Sequence, residues 1–165
     1  PTLDDPDSLL LVNQTPLTVL PWHEDHFDRF SDAIVTSYED TLDCPGLVGI
    51  RQIEDIIAGH MAVGRFDPTL WSAFYLDDQP VGVLLLNPLA DQSELELVYL
   101  GLTPSFRNQG LATRLMRRAA SIAKARRFSG IHLAVDERNT PAVKLYRALN
   151  YRATARKVAM IYALS

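Results

Sequence analysis

Apolar residues along this chain fall into runs whose period changes from two to nearly four and back. Leu17-Thr18-Val19-Leu20 reads as a short strand stopped by Pro21. Over 23–38, Phe27, Phe30, Ile34 and Tyr38 share one helical face, and 51–61 reads as a second, shorter helix. Glu39 to Gly49 is a loop and Gly64 to Pro68 a turn. Residues 70–76 alternate as a strand and turn back through Asp77-Asp78-Gln79-Pro80 into Val81–Leu86, where Asn87-Pro88 and Asp91-Gln92-Ser93 break the chain. A run of β-formers over 94–102 leads to a helix over 110–127 that ends near Gly130, then to a buried strand, Ile131–Val135. A helix over 141–149 follows, with Asn150 as its stop, because Asn tolerates the left-handed conformation. Val158, Met160, Tyr162 and Leu164 alternate in a last strand over 155–164.

The unit 94–102, 110–127, 131–135 is a β-α-β crossover, so its two strands should be parallel, whereas the hairpins before it should be antiparallel. The expected architecture is α/β of the α+β type: a mixed, mostly antiparallel sheet flanked by helices. A chain of 165 residues, 47% of them hydrophobic, suits one domain over 1–165, with 1–15 a loosely ordered arm. There is no internal repeat. No apolar run approaches the ~20 residues of a membrane span. Asp4, Asp5 and Asp7 put the wrong charge at the amino end for a signal peptide, and Cys44 is the one cysteine, so the expected location is cytoplasmic.

Charge is segregated. Residues 1–100 carry 3 Lys/Arg against 18 Asp/Glu, and residues 101–165 carry 13 against 2. A basic half invites an anionic ligand and an acidic half a cationic one, although solvated faces can segregate in the same way. The net charge of −4 and the lack of aromatics interleaved with the basic residues argue against nucleic acid.

The strand-turn-helix passage around Arg107-Asn108-Gln109-Gly110-Leu111-Ala112 is where an anion would sit. Gly110 lets backbone approach a ligand, and the first N–H groups of the following helix point outward with the positive end of its dipole. Neither G-x-x-x-x-G-K-[ST] nor G-x-G-x-x-G occurs here, so the triphosphate and dinucleotide loops are excluded. A second block, Asn139 to Tyr151, has Thr140 as a suitable N-cap and Pro141 at the first helical position. Ala142, Leu145, Tyr146 and Leu149 lie on one helical face.

The two blocks resemble the motifs of the GNAT superfamily of N-acetyltransferases: R-x-x-G-x-A after the long strand, then N-x-x-A-x-x-L-Y-x-x-x-N-Y, with Asn150 in place of the usual glycine. The resemblance implies a GNAT fold in which the two parallel strands splay apart around the pantetheine arm of acetyl-CoA. It implies a cofactor site at Arg107, Asn108, Gln109, Gly110, Leu111 and Ala112, with the backbone of Leu100 and Leu102 meeting the arm. Gly101 is a candidate bulge that helps the splay. Asn139 would contact the pantetheine or cap its turn. Tyr146 is the candidate acid for the leaving thiolate, or else a core aromatic. Glu96 is the candidate base, Glu94 the second choice on the same face, and ordered water the third. The implied enzyme is an acetyl-CoA-dependent N-acetyltransferase that passes acetyl directly to an amine in a ternary complex, with no metal and no membrane, and a homodimer left open. Two alternatives stay open: a non-catalytic acyl-CoA sensor, and an acyltransferase with another acyl group or acceptor. Tyr38, Glu39, Asp40 and Asp43 either face the acceptor or are solvated. His23 and His26, three apart, have no third metal ligand in view. His132 is expected to be a core histidine, and Cys44 has no partner base.

Overall fold

The computed structural model describes residues 10–12, 14–43, 45, 49–91 and 93–158. Its main sheet has five strands in the order β3 (Thr18–Pro21), β4 (Trp71–Leu76), β5 (Gln79–Pro88), β6 (Leu95–Leu102) and β7 (Ile131–Leu133). All neighbours are antiparallel except β6 and β7, which pair in parallel, as the crossover requires. A short ladder of β1 (Leu11–Val12) and β2 (Thr15–Pro16) precedes it. In the described part of the expected arm Leu10 and Val12 are buried against the core, as is Leu17 just beyond it.

Period-two alternation sorts the central strands onto two cores. Phe74, Leu84, Leu86, Leu95 and Leu97 meet Leu111, Leu115, Met116 and Ala119 of helix α3 (Leu111–Ala125). Ala73, Tyr75, Val83 and Leu85 meet Phe30, Ala33 and Ile34 of α1 (Phe27–Ser37) and Ile57 of α2 (Ile53–Met61). Helix α4 (Thr140–Ala148) lays Leu145, Tyr146 and Leu149 against the α3-side core.

Several expectations need correction. Strand β5 does not stop before Asn87-Pro88 but runs through them. The fully buried Asn87 is admitted because it accepts from Trp71 Nε1 at 2.8 Å and donates to the carbonyls of His60 and Val63 at 3.0 and 2.7 Å. Strand β7 ends at Leu133, two residues early. The N-cap of α4 is Asn139, not Thr140: its side chain accepts from Ala142 N–H at 3.2 Å. Residues 155–158 are not strand, and the rest of the expected last strand lies outside the described residues. Asn150 takes φ 66°, the left-handed stop expected of it. Among the described residues no helix is long and apolar enough to cross a membrane.

Candidate active site

The site grows from a mismatch between two strands. β6 has eight residues and β7 three, and they pair only at Leu95, Glu96 and Leu97. Beyond Leu97, over Val98–Leu102, no strand among the described residues pairs with the β7 side of β6, the edge where the pantetheine arm is expected. Opposite β5 the register slips: Leu86 faces Leu97 but Leu85 faces Tyr99. The bulge is therefore at Val98 and not at Gly101, which stays in register with Val83. Gly101 serves close packing instead, since a Cβ there would lie 2.5 Å from both Ser37 Oγ and Tyr99 Oη. The bulge keeps Glu96 and Tyr99 on the α1–α2 face, while Leu100 and Leu102 turn to the α3 core.

At the end of β6 the chain makes one 3-10 turn, Pro104–Phe106, and reaches the cradle. Buried Thr103 anchors it by donating to Pro80 O at 2.9 Å, and Gln109 Nε2 donates to Ser105 O at 2.8 Å. Asn108 and Gly110 both take left-handed conformations, φ 60° and 76°. Gly110 is the N-cap of α3, which begins with no side-chain cap and no acidic residue in its first turn. A Cβ on Gly110 would meet nothing within 4 Å, so space lies open above the glycine. Outward N–H groups, a helix dipole and open space make a competent oxyanion cradle.

Arg107 behaves differently from the expectation. Its guanidinium does not point into the cradle but is spent on backbone carbonyls: Nε donates to Leu102 O at 3.0 Å, Nη1 to Asp40 O at 3.3 Å, and Nη2 to Ser37 O at 3.1 Å and Glu39 O at 2.6 Å. Partners 67 to 70 residues away leave no trace in local spacing.

Glu96 is half-buried on β6, facing Asn87 across one ladder and His132 across the other. Burial raises its carboxyl above the ordinary value, and the charges of His132 and Lys157 oppose this. Glu94 precedes the strand and is taken up by His132, with Oε2 to Nε2 at 2.6 Å. His132 is thus no core histidine: it is about half-exposed on the edge strand. Tyr146 is tilted against Tyr151 at 5.9 Å, and burial pushes its phenol up to about 12, with Asp43 and Tyr151 adding to the shift.

Sequence reasoning missed a cluster on the α1–α2 face. Tyr99 shares a 2.8 Å hydrogen bond with Ser37 Oγ, meets the Tyr38 ring at 5.4 Å, and stacks on His60 at 5.5 Å and 14°. Burial raises both phenols and lowers His60 to about 4, with Arg51 assisting at the histidine. His60 is therefore a neutral imidazole at pH 7. Tyr38 alone of this cluster was a candidate in the sequence, and helical spacing cannot say which strand residue a helix will meet.

Asp43 stands between these groups. Its charge reaches Tyr38, Tyr99 and Tyr146 alike, and its Oδ1 accepts from Asp136 N–H at 3.1 Å, which joins the loop after α1 to the loop after β7. His23 and His26 shape the start of α1: His23 Nδ1 accepts from Asp25 N–H at 3.2 Å, and His26 Nδ1 lies 2.9 Å from Pro21 O. Among the described residues no group of three or more His, Cys, Asp or Glu could hold a metal ion. Cys44 lies outside the described residues.

Comparison with known proteins gives this arrangement a family. The model of the Acetyltransferase (GNAT) family matches residues 19–151. The chain is 26% identical over 105 residues to peptidyl-lysine N-acetyltransferase YjaB of Salmonella typhimurium, covering 64% of this chain and 62% of that protein. It is 28% identical over 85 residues to probable N-acetyltransferase 14 of Xenopus tropicalis, covering 52% and 41%. The chain thus spans less than two thirds of the length of either relative. The fold is that of an aminoglycoside acetyltransferase from an uncultured soil metagenomic sample, with TM-score 0.66 and 19% identity over 90% of this chain and all of that one. A cradle at the start of α3, the open edge of β6 beyond its bulge, and a family match across four fifths of its length agree: the chain belongs to the GNAT acetyltransferase family.

Proposed function

We propose that this protein is an acetyl-CoA-dependent N-acetyltransferase that passes acetyl to a primary amine of a small molecule or peptide. The observation that carries the reading is the cradle at the open end of β6, whose two left-handed residues lead into an uncapped helix. In this reading the backbone N–H groups of the loop from Arg107 to Ala112, and not the Arg107 side chain, take the pyrophosphate, and the backbone of Leu100 and Leu102 meets the pantetheine arm. Asn139, by capping α4, holds Tyr146 over the sulfur.

The acceptor approaches from the α1–α2 face, where Glu96, Tyr99 and Tyr38 lie and where the carboxylates of Asp40 and Asp43 favour a cation. Alkyl amines arrive protonated, with a reference value near 10.4 for lysine. Glu96 takes that proton, directly or through a water. The amine then attacks the thioester carbonyl, the C–N bond forms, the C–S bond breaks, and the second proton shed by the nitrogen ends on the departing sulfur, directly or through water. With its phenol near 12, Tyr146 keeps its proton at working pH. A thiol of reference value about 8.5 is the stronger acid, so Tyr146 stabilises the leaving thiolate chiefly by donating a hydrogen bond. Direct transfer needs both substrates bound at once, as an acceptor face and a cofactor edge on one strand allow.

The test is a panel of polyamines, aminoglycosides and lysine peptides offered with acetyl-CoA, read by thiol release. Release that depends on an amine supports the reading. Coenzyme A binding with no release over the whole panel would favour a sensor.

A further inference from the structure

We propose that the Arg107 side chain is a positioning residue that ties the cofactor loop to the turn after α1, so that coenzyme A seated in the loop orders residues 38–43. This rests on the function proposed above, since it takes Asn108–Ala112 as the cofactor's seat.

Chemistry at the end of α1 comes first. A helix leaves its last carbonyls without intrahelical donors. Here the turn closes itself only in part: Tyr38 and Glu39 N–H groups reach back to Val35 and Thr36, and Thr41 N–H to Tyr38 O. The carbonyls of Ser37, Glu39 and Asp40 receive the guanidinium of Arg107. A cation at a helix C-terminus is also favoured by the dipole. The fourth bond, to Leu102 O, fixes the same side chain to the end of β6. One planar fork thus spans strand, cradle and turn, which a lysine's point charge would not reproduce.

Geometry then carries the consequence. Asn108, the next residue, already belongs to the cradle. A pyrophosphate that fixes residues 108–112 fixes the root of Arg107, and Arg107 holds the turn that follows Ser37. That turn carries Tyr38, whose ring packs on Tyr99 of the acceptor face. Asp40 sits in it at φ 51°, a left-handed conformation that needs outside support. A ligand that fixes one end of this fork therefore orders the turn at the other end without a large movement.

The experiment is amide hydrogen exchange over residues 38–43, with and without saturating coenzyme A, on the wild type, Arg107→Ala and Arg107→Lys, with calorimetry for affinity. Without ligand, Arg107→Ala is expected to speed exchange at 38–43 by about tenfold while α3 is unchanged, and Arg107→Lys by less. Coenzyme A should slow exchange there in the wild type, a response a merely structural tie would not give. In Arg107→Ala that response should vanish although the dissociation constant stays within about threefold. If Arg107→Ala does not fold, Arg107→Lys is expected to show a reduced response, and a full response there overturns the proposal. A dissociation constant raised about tenfold or more with exchange at 38–43 unchanged would return Arg107 to the phosphate. Wild-type protection that ignores coenzyme A also overturns the coupling. Failure of the wild type to bind coenzyme A strikes the proposed function and the coupling together, while the ligand-free comparison still decides the tie.

Discussion

In the proposed function Glu96 takes up a proton and Tyr146 keeps one, and burial acts on both. Desolvation raises the Glu96 carboxyl, which brings a carboxylate closer to the working range of a base. The same shift carries a stability consequence. The folded value lies above the unfolded one, so the favourable contribution is present at low pH and fades as pH rises through the folded value. Glu96→Gln should therefore melt higher than the wild type at pH 7 and equal to it near pH 4, and a melting series in pH checks this. Its rate should fall strongly at pH 7 and less at pH 9, where more amine is already neutral. Glu94→Gln should lose less activity, without that pH dependence, because Glu94 is engaged by His132. Equal losses for both variants at every pH would move the base role to ordered water. Tyr146→Phe, which removes the hydrogen bond to the leaving thiolate, should keep coenzyme A affinity and lose on the order of 10²-fold in turnover. Unchanged turnover would make Tyr146 a core aromatic packed with Tyr151.

Elements show which parts of the site the sequence could disclose. Period-two and helical spacing placed β4, β6, α1, α3 and α4 to within a few residues, and the glycine at the start of α3 marked the cradle, because these features are local. The Val98 bulge was not legible, since it is a relation between two strands and Leu97-Val98-Tyr99 alone reads as unbroken strand. The length of β5 was misjudged because Asn87 looks like a breaker until its three hydrogen-bond partners are known. Asn87→Ala should cost about 2 kcal/mol or more, since it strands Trp71 Nε1 and two carbonyls, and denaturant unfolding checks it. Gly110→Ala meets no atom within 4 Å, so its loss should be only the left-handed strain, about 1–2 kcal/mol. Arg107 is the largest departure from expectation. The resemblance puts Arg107 in the cofactor loop, and its side chain closes the end of a helix nearly seventy residues earlier.

At the scale of the molecule, the proposed function draws its acceptor face from the acidic first hundred residues and its cradle from the basic remainder, with β6 as the seam between them. His60 makes the acceptor half sensitive to acid. Its folded value of about 4 lies below the ordinary 6.5, so the stability gained by keeping it neutral is present above pH 6.5 and is lost as pH falls towards 4. The loss should be up to about 3 kcal/mol, and His60→Phe should flatten that limb of the stability curve. The central claim is that the cradle seats coenzyme A. Its most direct test is thermal melting with coenzyme A for the wild type and for Gly110→Glu, which puts a side chain and a negative charge where phosphate would sit. The account expects a wild-type stabilisation of about 2.7 kcal/mol at one hundred times the dissociation constant, and none in the variant. A wild type whose melting ignores millimolar coenzyme A, or a Gly110→Glu variant that responds as fully as the wild type, would contradict it.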